Sequence, residues 1–523
     1  MATMNMHPIR ITLFSLCFCA FMAGCSKFDQ MNTNPNTPSR VTPDMLATTL
    51  ILDATKTYYR SNTDFVRPAQ LGKYTCWSSS PSTEQYNYFG RMDGGALIGF
   101  SSLTILNNIP KMVSFATSDA LRNSYSALGH TMRALKFFYL TIQVGDMPYS
   151  QALSGESDGT LKPKYDTQKD VFLGILKELD SADMLFAKGA AFNGDPIYKG
   201  DVQRWRKMVN SFELQVLINL YKKTSDPDLQ VTQRFQQIVN TRPIFQSNAD
   251  NFGLAFTNSA GQKYPFYIEG NQSYVYVMVS NFLIDSLKTL GDNRLFYYAN
   301  PSPVRVAAGV SVSDPAAYIG PDPASPYADI TRIASSKDYS PINDRYLQLP
   351  QGEPVYMLSY AQLQFILAEA AIRGWISGTG EPYYTGGINA AMHYVLDNTP
   401  DDPKYHHNKP ITDSYIQQTY LTQSRVKFAA DKDQQLKQVW LQNYLSLFLQ
   451  SPYTAYYEYR RTGYPVFKIN PATNLNTPTD RLPNRYLYPQ SELDYNKQNV
   501  VDAIQRQYNG DDNVNALMWI LKD

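Results

Sequence analysis

The chain is short of the residues that most enzyme chemistry recruits, with four cysteines and five histidines in 523 residues. Cys17, Cys19 and Cys25 fall near the start, so Cys76 has no intramolecular partner in the body of the chain. That excludes a disulfide framework and leaves stability to packing. His7, His130, His393, His406 and His407 include no His-x-x-x-His or His-Glu-x-x-His spacing, which removes local support for a zinc site without deciding whether a structural metal is bound. His406 and His407 follow Asp401-Asp402-Pro403 and read as solvated loop residues. A Gly-x-Ser-x-Gly elbow, a phosphate loop and a dinucleotide fingerprint are all missing. So is charge of one sign: the formal net charge is +1, which offers no basic face to a phosphate backbone and sets nucleic acid aside as a partner.

Long hydrophobic runs are missing as well. Residues 11–23 are almost wholly apolar, but a helix crossing a hydrocarbon core of roughly 30 Å needs about 20 residues. What the run does resemble is the middle of an export signal. Arg10 closes a short positive region before it, and Met22-Ala23-Gly24-Cys25 closes it with small residues and a cysteine. An ordinary cleaved signal with an incidental Cys25 is the rival reading, yet small-small-Cys directly after the apolar run is what lipid attachment requires. We expect residues 1–24 to be a lipoprotein signal peptide and Cys25 to carry the lipid. No other cofactor is expected. Acyl chains such as palmitate, each contributing about 0.8 kcal/mol per buried methylene, would hold the body permanently at a membrane. Residues 25–38 contain Asn32-Thr33-Asn34-Pro35-Asn36-Thr37-Pro38, a turn-rich stretch that reads as a leash.

What the chain has in abundance is tyrosine, 39 against 25 phenylalanines. Most will cap helix contacts, but rings on loops are a binding signal. The densest such stretch runs from Tyr74 to Arg91, where Trp77, Tyr86, Tyr88 and Phe89 alternate with Ser, Pro and Gly. A second crowd contains Tyr264, Phe266 and Tyr267. These seven residues are the candidate ligand contacts; the competing reading is a loop folded over its own small cluster.

Elsewhere the periodicity is helical. A first helix is expected over 46–59, and Leu135, Phe138, Tyr139 and Ile142 then fall at i, i+3, i+4 and i+7 before Gly145-Asp146-Met147-Pro148. Phe172, Ile175, Leu176 and Leu179 repeat the pattern after Thr167-x-x-Asp170, and Trp205, Met208, Val209 and Phe212 repeat it again. Ser359 with Gln362 makes a capping box before Leu363, Ile366, Leu367 and Ala370. Further helices are expected over 277–290, 388–396, 436–448, 453–461 and 500–507. Loop-rich insertions are expected near 60–130, 241–276 and 300–354, within one body covering 39–523. Amphipathic helices joined by short breaks point to stacked helix pairs.

Particular strings within these segments carry a family resemblance. They are Ala134-Leu135-Lys136-Phe137-Phe138, Gly145-Asp146-Met147-Pro148-Tyr149-Ser150-Gln151-Ala152-Leu153, Tyr198-Lys199-Gly200-Asp201-Val202-Gln203-Arg204-Trp205, Tyr360 to Ala370, Glu458-Tyr459-Arg460-Arg461-Thr462-Gly463-Tyr464-Pro465 and Arg485 to Glu492. The chain resembles the SusD/RagB-like outer-membrane lipoproteins, in their second SusD-like branch. The resemblance implies a mostly α fold, a tetratricopeptide-like superhelix of four helix pairs with a loop-rich ligand-binding portion laid over it. It also implies a non-catalytic, lipid-anchored protein on the outer face of the outer membrane. Such a protein captures a glycan or peptide and serves as lid to a SusC-like TonB-dependent barrel. Trp205, Glu369, Arg460 and Arg461 then read as scaffold, and the family carries over no contact residue by motif. Two rivals stand beside this reading. One is a surface-anchored helical-repeat interaction scaffold; the other is a glycoside hydrolase, whose paired carboxylates need no fixed spacing.

Overall fold

The computed structural model describes residues 41–56, 62–92, 99–270, 273–450 and 453–523. The signal peptide, Cys25 and the whole of the leash therefore lie outside the described residues. The longer helices, in chain order, are α1 (Pro43–Lys56), α2 (Asn62–Leu71), α3 (Asp119–Val144), α4 (Gln168–Phe186), α5 (Val202–Asn219), α6 (Val231–Thr241), α7 (Asn281–Thr289), α8 (Tyr327–Ser336), α9 (Tyr360–Ile372), α10 (Glu381–Asp397), α11 (Lys432–Ser446), α12 (Thr454–Thr462) and α13 (Lys497–Tyr508). Strands β1 (Thr75–Trp77) and β3 (Val277–Val279) pair antiparallel, as do β2 (Phe252–Leu254) and β4 (Val355–Leu358).

The helices begin where side chains relieve their unpaired first amides. Thr167 Oγ1 accepts from Asp170 N at the head of α4, and Asp201 Oδ1 accepts from Gln203 N and Arg204 N at the head of α5. At α9 both halves of the capping box form: Ser359 Oγ accepts from Gln362 N, and Gln362 Oε1 accepts from Ser359 N. The buried stripes are those the periodicity marks, including Phe138 and Ile142 on α3, Phe172, Ile175 and Leu179 on α4, and Met208, Val209 and Phe212 on α5. α3 packs along α4, α4 against α5, α5 against α6 and α9, and α9 against α10 and α11. This is the mostly helical, tetratricopeptide-like architecture expected from the sequence. One hydrophobic core runs from Ala47 to Ile520.

Polar locks join the repeats. Arg461 on α12 donates from both terminal nitrogens to Glu369 on α9, at 2.7 and 2.8 Å. Trp440 Nε1 on α11 donates to the same carboxylate at 2.8 Å, and Arg373 Nε adds a bond at 2.9 Å. Burial alone would raise the Glu369 pKa; Arg461 and the other donors overcome it and hold the carboxyl at about 2. Trp205 is fully buried, its Nε1 donating to Asp195 Oδ2 at 2.8 Å. Its ring lies among Phe186, Phe192, Tyr198 and Phe252.

Four expectations change. The helix expected over 277–290 divides into β3 and α7, because Ser280 caps α7 through Leu283 N while the β-branched Val277 and Val279 pair with β1. The helix expected over 388–396 starts earlier, at Glu381, with Pro382 in its first turn, where a missing N–H costs nothing. Gly387 sits inside it because a Cβ there would stand 2.6 Å from Phe365 of α9. The loop-rich stretch 300–354 contains α8, whose fully buried residue is Ile330; one anchor is too faint a stripe to read from sequence. His406 and His407 are buried rather than solvated. Their turn packs under residues 297–318: the His406 ring lies 6.2 Å from Tyr297, and His407 Nε2 lies 3.2 Å from Asn300 Oδ1. Burial lowers the His407 pKa to about 4.

Candidate ligand-binding surface

The β1–β3 ribbon sets the site. Pairing Trp77 with Val277 brings the end of β1 beside the residue before β3, Tyr276. The Trp77 and Tyr276 rings meet edge-on, centroids 5.5 Å apart, and Ser78 N donates to Tyr276 O at 3.0 Å. Tyr327, at the start of α8, donates its hydroxyl to Ser78 O at 3.0 Å. Trp77 and Tyr274 are half-buried, while Tyr276 is 41% and Val275 49% exposed. Rings held by backbone contacts and still open to water present a rigid stacking face, which is what recognition of a flat polyhydroxylated or amphipathic ligand needs.

The loop 82–89 is fastened against β1 from beneath. Gln85 Oε1 accepts from Trp77 N at 3.0 Å. Lys73, buried, donates to Gln85 O at 2.8 Å and to Asn87 Oδ1 at 2.7 Å. Desolvation dominates the lysine and brings its pKa down to about 7. Tyr88 projects from this clamped loop, 51% exposed.

The seven candidate rings thus divide. Trp77, Tyr88 and the half-buried Tyr267 are open to solvent, the last beneath Lys263 Nζ at 5.1 Å. Tyr86, Phe89, Tyr264 and Phe266 are core residues, a correction to their expected surface placement. Phe89 stacks on Tyr486 with centroids 4.4 Å apart. Tyr86 donates to Ser325 O at 3.1 Å, and burial pushes its pKa up to about 12. Tyr264 packs edge-on to Phe256 and fits only because Gly352 has no side chain: a Cβ there would stand 2.3 Å from the ring. The buried rings of the loop pack against distant parts of the chain rather than over a cluster of their own, and two rings, Trp77 and Tyr88, stay outside. Tyr276 joins them through strand pairing, a long-range fact that no local pattern announces.

Among the described residues no group of three or more His, Cys, Asp or Glu side chains is arranged to hold a metal ion, and Cys76 is buried and free. No helix among the described residues is long and apolar enough to cross a membrane.

A tetratricopeptide-like scaffold that presents clamped aromatic rings defines a helical-repeat ligand-binding protein. Residues 35–489 match the second SusD-like family, described as starch-binding and associating with the outer membrane. A SusD homologue from Bacteroides fragilis is 44% identical, with a TM-score of 0.88, over 92% of this chain and all of that one. Another from the same species is 33% identical (TM-score 0.80), and a Bacteroides vulgatus protein described in terms of nutrient binding at the outer membrane is 30% identical (TM-score 0.80). In both pairings the match covers 92% of this chain and 100% of the other. Among curated proteins none shows significant similarity. The chain belongs to the SusD-like family, whose members bind glycans and associate with the outer membrane; it is a binding protein and not an enzyme.

Proposed function

We propose that this chain captures oligosaccharide at the cell surface on the Trp77–Tyr276 face, with the solvent-open rings of Tyr88 and Tyr267 as further candidate contacts. It hands the ligand, as a hinged lid, to a SusC-like TonB-dependent barrel. A lipid on Cys25 and the leash 25–38 keep the body, 39–523, at the outer membrane while it swings. The observation that carries this reading is the exposed, backbone-pinned pair of rings at the end of the β1–β3 ribbon. Family membership supports the glycan as ligand, and the small-residue approach to Cys25 supports the tether.

Calorimetry of the soluble body against glycan and peptide panels tests the ligand. Trp77→Ala and Tyr276→Ala are each expected to weaken glycan binding at least about tenfold, as loss of a stacking ring does. Unchanged affinity in both would remove the proposed face, and binding of peptides alone would change the ligand class. Cys25→Ala is expected to abolish uptake with affinity in solution unchanged. Equal uptake by the unlipidated protein would refute the tether.

A further inference from the structure

At the other end of the same ribbon a cavity of about 530 Å³ opens between α7 and the segment 464–468. Lys73, just before β1, and Asn281, just after β3, both line it, so it lies away from the Trp77–Tyr276 end. One wall is aromatic. Phe282 and Phe467 meet edge-on at 5.5 Å, Phe467 stacks on Tyr459 at 4.5 Å, and half-buried Tyr464 stands beside them. The facing polar groups are Asp285, one turn of α7 after Asn281, and Asp322 across the opening. Asp285 makes no hydrogen bond or ion pair among the described residues. Asp322 uses Oδ1 for Ala324 N and Oδ2 for Lys468 Nζ. The buried ammonium of Lys73 is already bonded to Gln85 O and Asn87 Oδ1.

That inventory selects a ligand. Aromatic faces suit the C–H side of a sugar ring, and a carboxylate accepts strong hydrogen bonds from its hydroxyls. Both lining cations, Lys73 and Lys468, are engaged, while the Asp285 carboxylate, which couples electrostatically to Lys288, has no hydrogen-bond donor among the described residues. An anionic sugar would therefore meet two carboxylates, with Lys288 already donating to Tyr318 O. The volume falls in the range of small-molecule sites.

We propose that this cavity is a second saccharide site, separate from the Trp77–Tyr276 face, that takes a neutral sugar unit with Asp285 as hydroxyl acceptor and Tyr464 as stacking ring. The inference rests on the reading of the chain as a glycan binder. Calorimetry with malto-, cello-, xylo- and mannotetraose, and with tetragalacturonate as the acidic probe, would compare wild type with Trp77→Ala, Asp285→Ala and Tyr464→Ala. Asp285 is exposed on a helix, where alanine is well tolerated, and thermal melts confirm that each variant is folded. Two binding events are expected for a neutral probe, one weakened about tenfold or more by Asp285→Ala and Tyr464→Ala, the other by Trp77→Ala. A single event lost with Trp77→Ala and indifferent to the cavity variants would overturn the second site and leave the proposed function intact. Binding lost with Asp285→Ala but indifferent to Trp77→Ala would overturn the face and leave the cavity. Absence of binding by every probe would count against both, and capture of tetragalacturonate through the cavity would overturn its neutral-sugar class.

Discussion

Trp205 and Trp77 show what divides scaffold from surface in this molecule. Trp205 stands on α5 at the first position of a helical stripe, fully buried, with its N–H held by Asp195 and its ring among four others. Trp77 closes a three-residue strand, half-buried, with its backbone N–H held by Gln85 and its ring edge-on to an exposed tyrosine. In the scaffold the side chain is the anchored part; at the surface the backbone is anchored and the ring is left over. Removing the first ring should cost stability, and removing the second should cost binding.

The largest effect is expected from Trp205→Ala. It empties a large core volume and removes one of the four bonds to the Asp195 carboxylate, which keeps the amides of Ile197, Tyr198 and Gly200, so chemical denaturation should show a loss of about 5 kcal/mol. A loss under about 2 kcal/mol would mean that the scaffold closes over the gap, and the contrast with Trp77 would weaken. Next comes Glu369→Ala, which takes the two-point partner from the buried Arg461, leaves it Glu458 alone, and should cost about 3 kcal/mol. The same carboxylate predicts acid behaviour. Its pKa is about 2 when folded against an ordinary 4.5, so below pH 4.5 the unfolded chain takes up the proton first. Its stabilisation is complete above pH 4.5 and is lost as pH falls towards 2. The variant should lose less stability than wild type across that window.

The same contrast explains what was legible in the sequence. Helix stripes and caps are local, so α3, α4, α5 and α9 could be read from spacing, and the capping box at Ser359 and Gln362 forms as written. The rings at Trp77 and Tyr88 could be singled out because Ser, Pro and Gly break every period around them. Tyr86 and Phe89 look the same in one dimension. They are buried because Ser325, Tyr456 and Tyr486, far along the chain, come to meet them. Tyr264 depends in the same way on the space left by Gly352. Spacing does not single out Tyr276, because its partner lies across the β1–β3 register, and register is set by tertiary packing.

Between the two extremes lies Lys73, scaffold in its burial and surface in what it holds. Its pKa falls from 10.5 to about 7. Between these values the unfolded chain keeps a proton that the folded chain has released. The burial penalty is therefore full below pH 7, and stability should rise with pH from about 7 to 10.5. Lys73→Met should flatten that rise and, having lost two hydrogen bonds, change stability at pH 7 by only about 1–2 kcal/mol. Hydrogen exchange of amides 82–89 should quicken in the variant, since the loop's lower clamp is gone. Exchange as slow as in wild type would assign the clamping to Gln85 alone.

The smallest stability effect is expected from Trp77→Ala, and it is the sharpest test of the comparison. A half-buried ring returns only part of its apolar surface to water on truncation, about 1 kcal/mol. The strand itself is held by the backbone pairs Thr75 with Val279 and Trp77 with Val277, which alanine keeps. Tyr276 should lose its edge contact and become more mobile while Ser78 N stays on Tyr276 O. The melting transition should therefore shift by a few degrees at most, while glycan affinity falls at least about tenfold. A stability loss as large as that of Trp205→Ala would make Trp77 a core residue with an open edge. The exposed rings of Tyr276 and Tyr88 would then have to carry recognition without it.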